Sequence, residues 1–359
     1  MPMNVNVIPA DSLTPEQMLA WSRLQRADVA LASPFFRPEF VCAASAIRQN
    51  VEVAVLEEGN EPVGFFPFAR TRRNVGQPVA SPMNDFQGPI LAPGVTFNAR
   101  QLIRQCGLVA WHFDHLAPWQ SPFWRYRSVE VDSPYVDLSG GFDAYQEARS
   151  KAGSRELTTV GRKTRKLGRE HGPLRFEFHT ADRGALEKLI EWKKDQCRRT
   201  KVASLFDHAW SIRLLEHVLA RPSKAFSGVL SALYVDDRPA AVHLGIRSQR
   251  VLHWWFPAYD PTFRKYSPGM ILLAEVAKAC QSQGIKRIDL GKGMTQFKNS
   301  FMSGAVPVAE GSVDSRPLVG TLTHGWLRTR DWVRSSRLRA PAHRLNRFLD
   351  KTRSCLGLV

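Results

Sequence analysis

Three strands in immediate succession, placed late in the chain, constrain this sequence more than any other feature. Phe226 to Val235, Pro239 to Arg247 and Val251 to Ala258 are rich in β-branched and aromatic residues. Only the turns Asp236-Asp237-Arg238 and Ser248-Gln249-Arg250 separate them, so they are expected to form an antiparallel meander. Leu174 to His179 reads as a strand before the meander. Two helices follow it, one capped by Asp182 with Leu186, Ile190 and Cys197 inward, the other capped by Asp207 with Leu215, Val218 and Leu219 inward. After the meander, Pro268 opens a helix to about Gln283 with Leu273, Val276, Ala277 and Cys280 inward, and Gly284 closes it. Lys286 to Gly291 is then a strand, Thr295 to Met302 a helix, and Val306 to Val313 extended. Mixed domains of this size usually alternate strand and helix throughout, so this order is selective.

The first part of the chain reads less sharply. Thr14 caps a helix from Pro15 to about Ala27, and a short helix follows Pro38. Val51 to Glu57 and Pro62 to Arg70 form a hairpin across Glu58-Gly59-Asn60-Glu61. Thr71 to Pro93, rich in Pro, Gly and Asn, reads as a long irregular loop. A helix near Asn98 to Cys106 and strands near Leu108 to Phe113 and Ser128 to Leu138 follow, the last ending at the turn Ser139-Gly140-Gly141. Both hairpins place Arg eight residues after Pro, at Pro62 and Arg70 and again at Pro239 and Arg247, a weak internal repeat that suits a duplicated fold.

A chain of 359 residues suits two lobes and a tail. Its net charge of +17 is concentrated. Arg155 to Arg175 holds seven Lys or Arg against two Glu, and Arg316 to Val359 ten against two Asp. Such segments suit a phosphate-rich partner: a CoA pyrophosphate, a nucleotide-linked sugar, tRNA or an anionic lipid surface. The second segment, with Trp326, Trp332, Leu345 and Phe348 among its arginines, has the pattern of a basic amphipathic helix able to lie on a membrane surface, although Pro341 interrupts it. No apolar run approaches the roughly 20 residues needed to cross a bilayer. Met1 to Ala10 lacks a basic start and an apolar signal core, so the expected location is cytoplasmic, with peripheral membrane contact left open. The five cysteines are scattered singly and read as inert thiols; no metal is expected.

Several short motifs sharpen this. Tyr259-Asp260-Pro261, Tyr266-Ser267-Pro268-Gly269 with Leu272-Leu273, Asp289-Leu290-Gly291 and Phe297-Lys298 occur in the second half; Ser33-Pro34-Phe35, Pro38-Glu39-Phe40 and Asn84-Asp85-Phe86-Gln87-Gly88 occur in the first. Together with the element order they resemble the GNAT acyltransferase superfamily, in particular the CelD/BcsL-like acetyltransferases associated with cellulose and exopolysaccharide biosynthesis, over roughly 300 residues. The resemblance implies a mixed α/β fold with a mostly antiparallel sheet, built as tandem GNAT-like lobes. The N-terminal lobe, degenerate, would span 1–153, a basic connecting helix 154–172, the C-terminal acyltransferase lobe 173–315 and the basic helical tail 316–359.

It also implies a site. The pyrophosphate of an acyl-CoA co-substrate would rest where a loop enters the helix at Ser267, Pro268, Gly269 and Met270, under cationic cover from Arg264 and Lys265. This loop departs from the usual superfamily signature of a basic or Gln residue followed by two spaced glycines, since it has one Gly and a Pro. The pantetheine arm would lie along Val251 to Ala258 where that strand diverges from Lys286 to Gly291. Acid and base candidates at the strand ends are His243, Tyr259, Asp260, Tyr266 and Asp289; Asp289 is favoured as base or orienter of the acceptor and Lys298 as electrostatic partner of a carbonyl or phosphate oxygen. Trp254 and Trp255 point to opposite faces, one inward and one free to line a groove. The expected activity is acyl transfer to an amine or hydroxyl of a sugar or polysaccharide precursor. An aminoacyl-tRNA-dependent ligase of the Fem type and a non-catalytic partner in a polysaccharide-synthesis complex are the alternatives.

Overall fold

The computed structural model describes residues 3–316. It divides into two compact units: one comprises the chain up to Leu31, Ala44–Val131 and the residues from Pro307 on, the other Ala32–Ala43 and Asp132–Val306. The chain therefore passes between units several times, where the sequence suggests a single crossing. The tail expected over 316–359 lies, apart from Arg316, outside the described residues.

The first unit begins with β1 (Asn4–Pro9) and α1 (Pro15–Ala27). Thr14 starts α1 through a reciprocal capping box: its hydroxyl accepts from the Gln17 amide at 3.2 Å, and the Gln17 side chain accepts from the Thr14 amide at 3.0 Å. After α2 (Pro38–Ser45) come the hairpin β2 (Val51–Glu58) and β3 (Glu61–Arg70), then β4 (Val75–Gln77), β5 (Ile90–Leu91), α3 (Ala99–Gln105), β6 (Ala110–Leu116), the single turn α4 (Ser121–Trp124) and β7 (Arg127–Asp137). The stretch 71–93, expected to be irregular, thus contributes two short strands. Both pair with β3, whose ladder supplies the order that Pro and Gly withhold locally.

The second unit adds α5 (Gly141–Lys151), α6 (Glu156–His171), β8 (Leu174–Glu177), α7 (Arg183–Thr200), α8 (Ala209–Ala220), β9 (Phe226–Val235), β10 (Arg238–Ser248), β11 (Val251–Tyr259), α9 (Pro268–Cys280), β12 (Arg287–Asp289) and α10 (Gln296–Phe301), and β13 (Gly304–Asp314) is the last element among the described residues. The meander and α9 stand where the sequence placed them. Other expectations shift. Gly140-Gly141 is not only a turn but the start of α5, held because Phe142 and Tyr145 share one buried face and the Tyr145 hydroxyl donates to the Phe301 carbonyl at 2.6 Å. On α7 the buried residues are Ala185, Leu189 and Trp192, while Leu186, Ile190 and Cys197 are half-buried; the large Trp192 ring turns the stripe. Asp207 lies in a single 3-10 turn and His208 takes the N-cap position of α8, with Leu214 buried and Leu219 only partly so. The basic helix α6 is no separate connector. Val160 and Leu167 are buried in the same core as Ile271, Leu272 and Val276 of α9, so it is a layer of the second unit.

Each unit, taken by itself, repeats one strand plan. In the first the order is β1-β2-β3-β4-β6-β13; in the second it is β8-β9-β10-β11-β12-β7. Within each, the pairings whose register is defined are antiparallel, except one parallel contact at the equivalent place, β4 with β6 and β11 with β12. The strand after the parallel contact is exchanged: β13, late in sequence, completes the first unit, and residues 132–137 of β7 complete the second. That exchange, together with the segment Ala32–Ala43, is why no single cut separates the units, and the repeated strand plan suits a duplicated fold. No helix among the described residues is long and apolar enough to cross a membrane.

Candidate functional site

In the second unit, β11 and β12 share only three register pairs: Val251 with Arg287, Leu252 with Ile288 and His253 with Asp289. Past them β12 turns to β7, where the Leu290 amide donates to the Pro134 carbonyl at 2.9 Å and the Gly293 amide to the Asp132 carbonyl at 2.8 Å. From Trp254 to Tyr259, β11 keeps its β10 partner and pairs with no strand on the other side among the described residues. At the same point β11 bulges. Leu244 and Ile246 of β10 face Phe256 and His253, so two steps on one strand meet three on the other. A bulge takes one residue out of the ladder and is common beside active sites. Gly245 stands opposite it; a Cβ there would lie 2.5 Å from the His253 carbonyl oxygen and 2.6 Å from His243 Cε1, so only glycine fits.

The bulge sends the two tryptophans to different environments. Trp254 joins the core under α9, while Trp255 sits edge-on to Phe35 and Phe40 at ring separations of 5.8 and 6.4 Å. This places the early motifs: the segment 32–43 belongs to the second unit, with Phe35 also against His253 at 4.9 Å and the buried Arg37 paired to Glu39 at 2.6 Å.

The unpaired edge of β11 leads to the start of α9. Ser267 has φ 55°, a left-handed conformation, and its side chain caps no amide. Pro268 brings no N–H, and the Met270 and Ile271 amides both donate to the Ser267 carbonyl, at 2.9 and 3.2 Å. Gly269 is left as the amide without a protein acceptor among the described residues. Its open side meets only Tyr259 Cδ1, 3.7 Å from where a Cβ would be, and Tyr259 is 40% exposed. One cation at this helix end was not foreseen. Lys163 of α6 donates from Nζ to Ser267 Oγ at 2.8 Å, and no local pattern joins residues 104 positions apart. Of the two expected cations, Arg264 is exposed. Lys265 pairs with Glu170 at 3.2 Å, a carboxylate that also accepts from the Tyr266 hydroxyl. That hydroxyl bond first, and Lys265 and Lys166 with it, holds the Glu170 carboxyl below the usual range, and His171 Nε2 lies 2.9 Å from the same hydroxyl. Lys265 and Tyr266 therefore tie the turn before α9 to α6.

The expected catalytic side chains fall around this edge in unequal settings. Asp289, at its inner end, is 3% exposed and bound by Arg287 Nε at 2.5 Å, whose guanidinium lies 4.1 Å over the Tyr135 ring. Lys298 donates to the carbonyls of Gly291 and Lys292 at 2.7 and 3.0 Å, fixing the loop after β12. His243 is fully buried and stacked on Trp254 at 3.7 Å, with no hydrogen-bond partner at either ring nitrogen. Loss of solvent, with a smaller contribution from His253, pushes its pKa well below 6.5, so it is neutral. Asp260 caps the turn after β11 by accepting from the Thr262 amide at 2.8 Å. Asp289 and Tyr259 thus mark the two ends of the open edge, while His243 and Lys298 support it from behind. The Cys106 and Cys280 thiols are pushed up to about 12 by burial, and no group of three or more His, Cys, Asp or Glu among the described residues is placed to hold a metal ion.

Residues 154–299 match the acetyltransferase (GNAT) domain family. No curated protein sequence matches the chain. Among solved structures, FemX is similar at 8% identity over 89% of this chain and 100% of that one, with a TM-score of 0.55. A tandem GNAT protein from the clavulanic acid biosynthesis pathway is similar at 10% identity over 88% and 99%, with a TM-score of 0.52. L-PGS from Bacillus licheniformis follows at 11% identity over 87% and 96%, with a TM-score of 0.50. Residues 154–299 are therefore similar to a GNAT acetyltransferase domain, and the fold is mixed α/β and largely antiparallel, like that of the tandem GNAT structures.

Proposed function

We propose that the second unit transfers an acyl group, acetyl in the simplest case, from acyl-CoA to an amine or hydroxyl of a sugar or polysaccharide precursor by direct attack. The observation that carries this is the open edge of β11, bulged at Trp254-Trp255 and running to the Gly269 amide and the Lys163 ammonium. An extended pantetheine arm can add to such an edge as a strand would. A diphosphate suits its far end, where one backbone donor and one ammonium compensate for the missing second glycine. The thioester then falls near the bulge, where a backbone amide outside the ladder can hold its carbonyl oxygen as charge develops. The acceptor lone pair bonds to the thioester carbon, the carbon–sulfur bond breaks, and the proton lost by the acceptor ends on the departing thiolate, which leaves as the CoA thiol. Asp289, held in place by Arg287, orients the acceptor N–H or O–H. Tyr259 flanks the donor phosphates, and Lys298 keeps the opposite lip in place. The sugar class of the acceptor rests on the motifs that resemble the exopolysaccharide-associated acetyltransferases.

Thermal stabilisation tests this. Acetyl-CoA and longer acyl-CoAs at fixed salt are expected to raise the Tm, by about 2.7 kcal/mol of added stability at one hundred times Kd. Gly269→Glu, which places a carboxylate where the diphosphate belongs, is expected to abolish the shift without lowering the ligand-free Tm. Stabilisation by tRNA alone would favour the ligase reading, and no response to any donor the non-catalytic one.

A further inference from the structure

A cleft of the first unit is lined by none of the residues of the open β11 edge. It has a volume of about 900 Å³, and Phe97, Asn98, Trp119, Gln120, Asp28 and Arg125 are among its walls. That is at the upper end of the roughly 300–1,000 Å³ of small-molecule sites, with room for more than one sugar ring. Its lining holds one carboxylate and one guanidinium and is neutral as a whole, in a chain of net charge +17. A polyphosphate or nucleic acid finds no excess of cations here.

The wall is built rather than incidental. Trp119 stacks on Phe86 with ring centroids 6.3 Å apart and planes 11° apart, and its indole N–H is buried with no protein acceptor. Phe86 belongs to the motif Asn84-Asp85-Phe86-Gln87-Gly88, which the acyl-transfer site does not use. Gln87 locks that motif to β6: its amide nitrogen donates to Asp114 Oδ1 at 2.6 Å, and its oxygen accepts from the Asp114 and His115 amides at 2.9 and 3.2 Å. His115 in turn lies between Asp114, at 3.0 Å, and Asp85, at 3.4 Å. Beyond the motif, Gln120 donates to the Pro89 carbonyl at 3.0 Å, and its side chain fills the space a Cβ at Gly88 would need. A fixed aromatic ring in the wall, with amide, carboxylate and guanidinium side chains in the same lining, matches a ligand with apolar C–H faces and many hydroxyls.

We infer that this cleft is a binding site for a neutral saccharide of more than one ring, seated on Trp119. The site does not rest on the acyl-donor reading. With the full chain carrying 15N-labelled tryptophan, the Trp119 indole resonance, assigned by its loss in Trp119→Phe, is expected to shift saturably on titration with cellobiose or chitobiose. Trp119→Ala, which removes the ring, is expected to weaken binding ten-fold or more, and Trp119→Phe, which keeps a smaller stacked ring, to weaken it less, both leaving stabilisation by acetyl-CoA unchanged. No shift at Trp119 with either disaccharide, or a shift with acetyl-CoA or lysophospholipid in their place, overturns the inference. Since the readout needs no acyl donor, its failure leaves the transferase reading standing, and the converse holds.

Discussion

The equivalent helices of the two units, α3 and α9, differ where it matters for an anionic donor. α3 is capped by its own chain: Asn98 Oδ1 accepts from the Gln101 amide at 3.1 Å. Beside it β4 is three residues long, and a Cβ at Gly76 would lie 2.8 Å from Leu108 and 3.0 Å from Trp111, so side chains fill the place a cofactor arm would need. α9 has no side-chain cap, an open Gly269 and a lysine delivered from α6, beside a strand whose outer half lacks one neighbour. One strand plan is thus used twice, sealed in the first unit and left open in the second. Under the proposed function, closing a helix end with an asparagine and a strand slot with Leu and Trp would turn a donor site into scaffold.

Breaking the second unit's bulge should have the largest effect. Gly245→Ala is expected to cost about 1–3 kcal/mol, read as a lower midpoint in urea, because the methyl meets the His253 carbonyl and the His243 ring, neither of which can move far in a packed core. Acyl transfer should fall more steeply than stability. Lys163→Ala should weaken acetyl-CoA binding about tenfold, the usual worth of a charge-assisted contact, with Lys163→Arg recovering part of it. Equal binding by all three would remove α6 from the donor site.

The third prediction concerns His243. The folded state keeps it neutral, while the unfolded imidazole takes up a proton near its ordinary 6.5. Its contribution to stability is therefore complete above that pH and is lost as pH falls below it, at up to about 1.4 kcal/mol per pH unit. His217, also lowered by burial, acts in the same direction. His243→Phe should flatten the acid limb of a Tm-against-pH curve; an unchanged slope would assign that limb to other groups. The smallest effect is expected in the first unit, where Asn98→Ala should cost about 1 kcal/mol through loss of the cap and leave acetyl-CoA binding as it was.

What the sequence disclosed, and what it did not, follows the reach of each interaction. The meander, α9 with its Pro268 start, and the Thr14 capping box were legible because hydrophobic period, turn residues and caps act within a few positions. The place of the open edge was also legible, through Asp289-Leu290-Gly291 and Ser267-Pro268-Gly269. The exchanged strands β7 and β13 were not, since pairing partners far apart in sequence leave no local mark. Lys163 looked like any other cation on a basic helix, and only packing against α9 gives it a task. Lys298 looked available for substrate, but two backbone carbonyls hold it. The stripe of α7 was misread because Trp192 outweighs the smaller residues that set the apparent period.

The central claim is that the donor binds the open α9 end of the second unit and not the sealed α3 end of the first. A crystal structure with acetyl-CoA tests it most directly. The diphosphate should lie within hydrogen-bond reach of the Gly269 amide and Lys163 Nζ, with pantetheine running along Trp254 to Tyr259 toward the bulge. Acetyl-CoA seated at Asn98, or bound anywhere away from α9, would contradict the account.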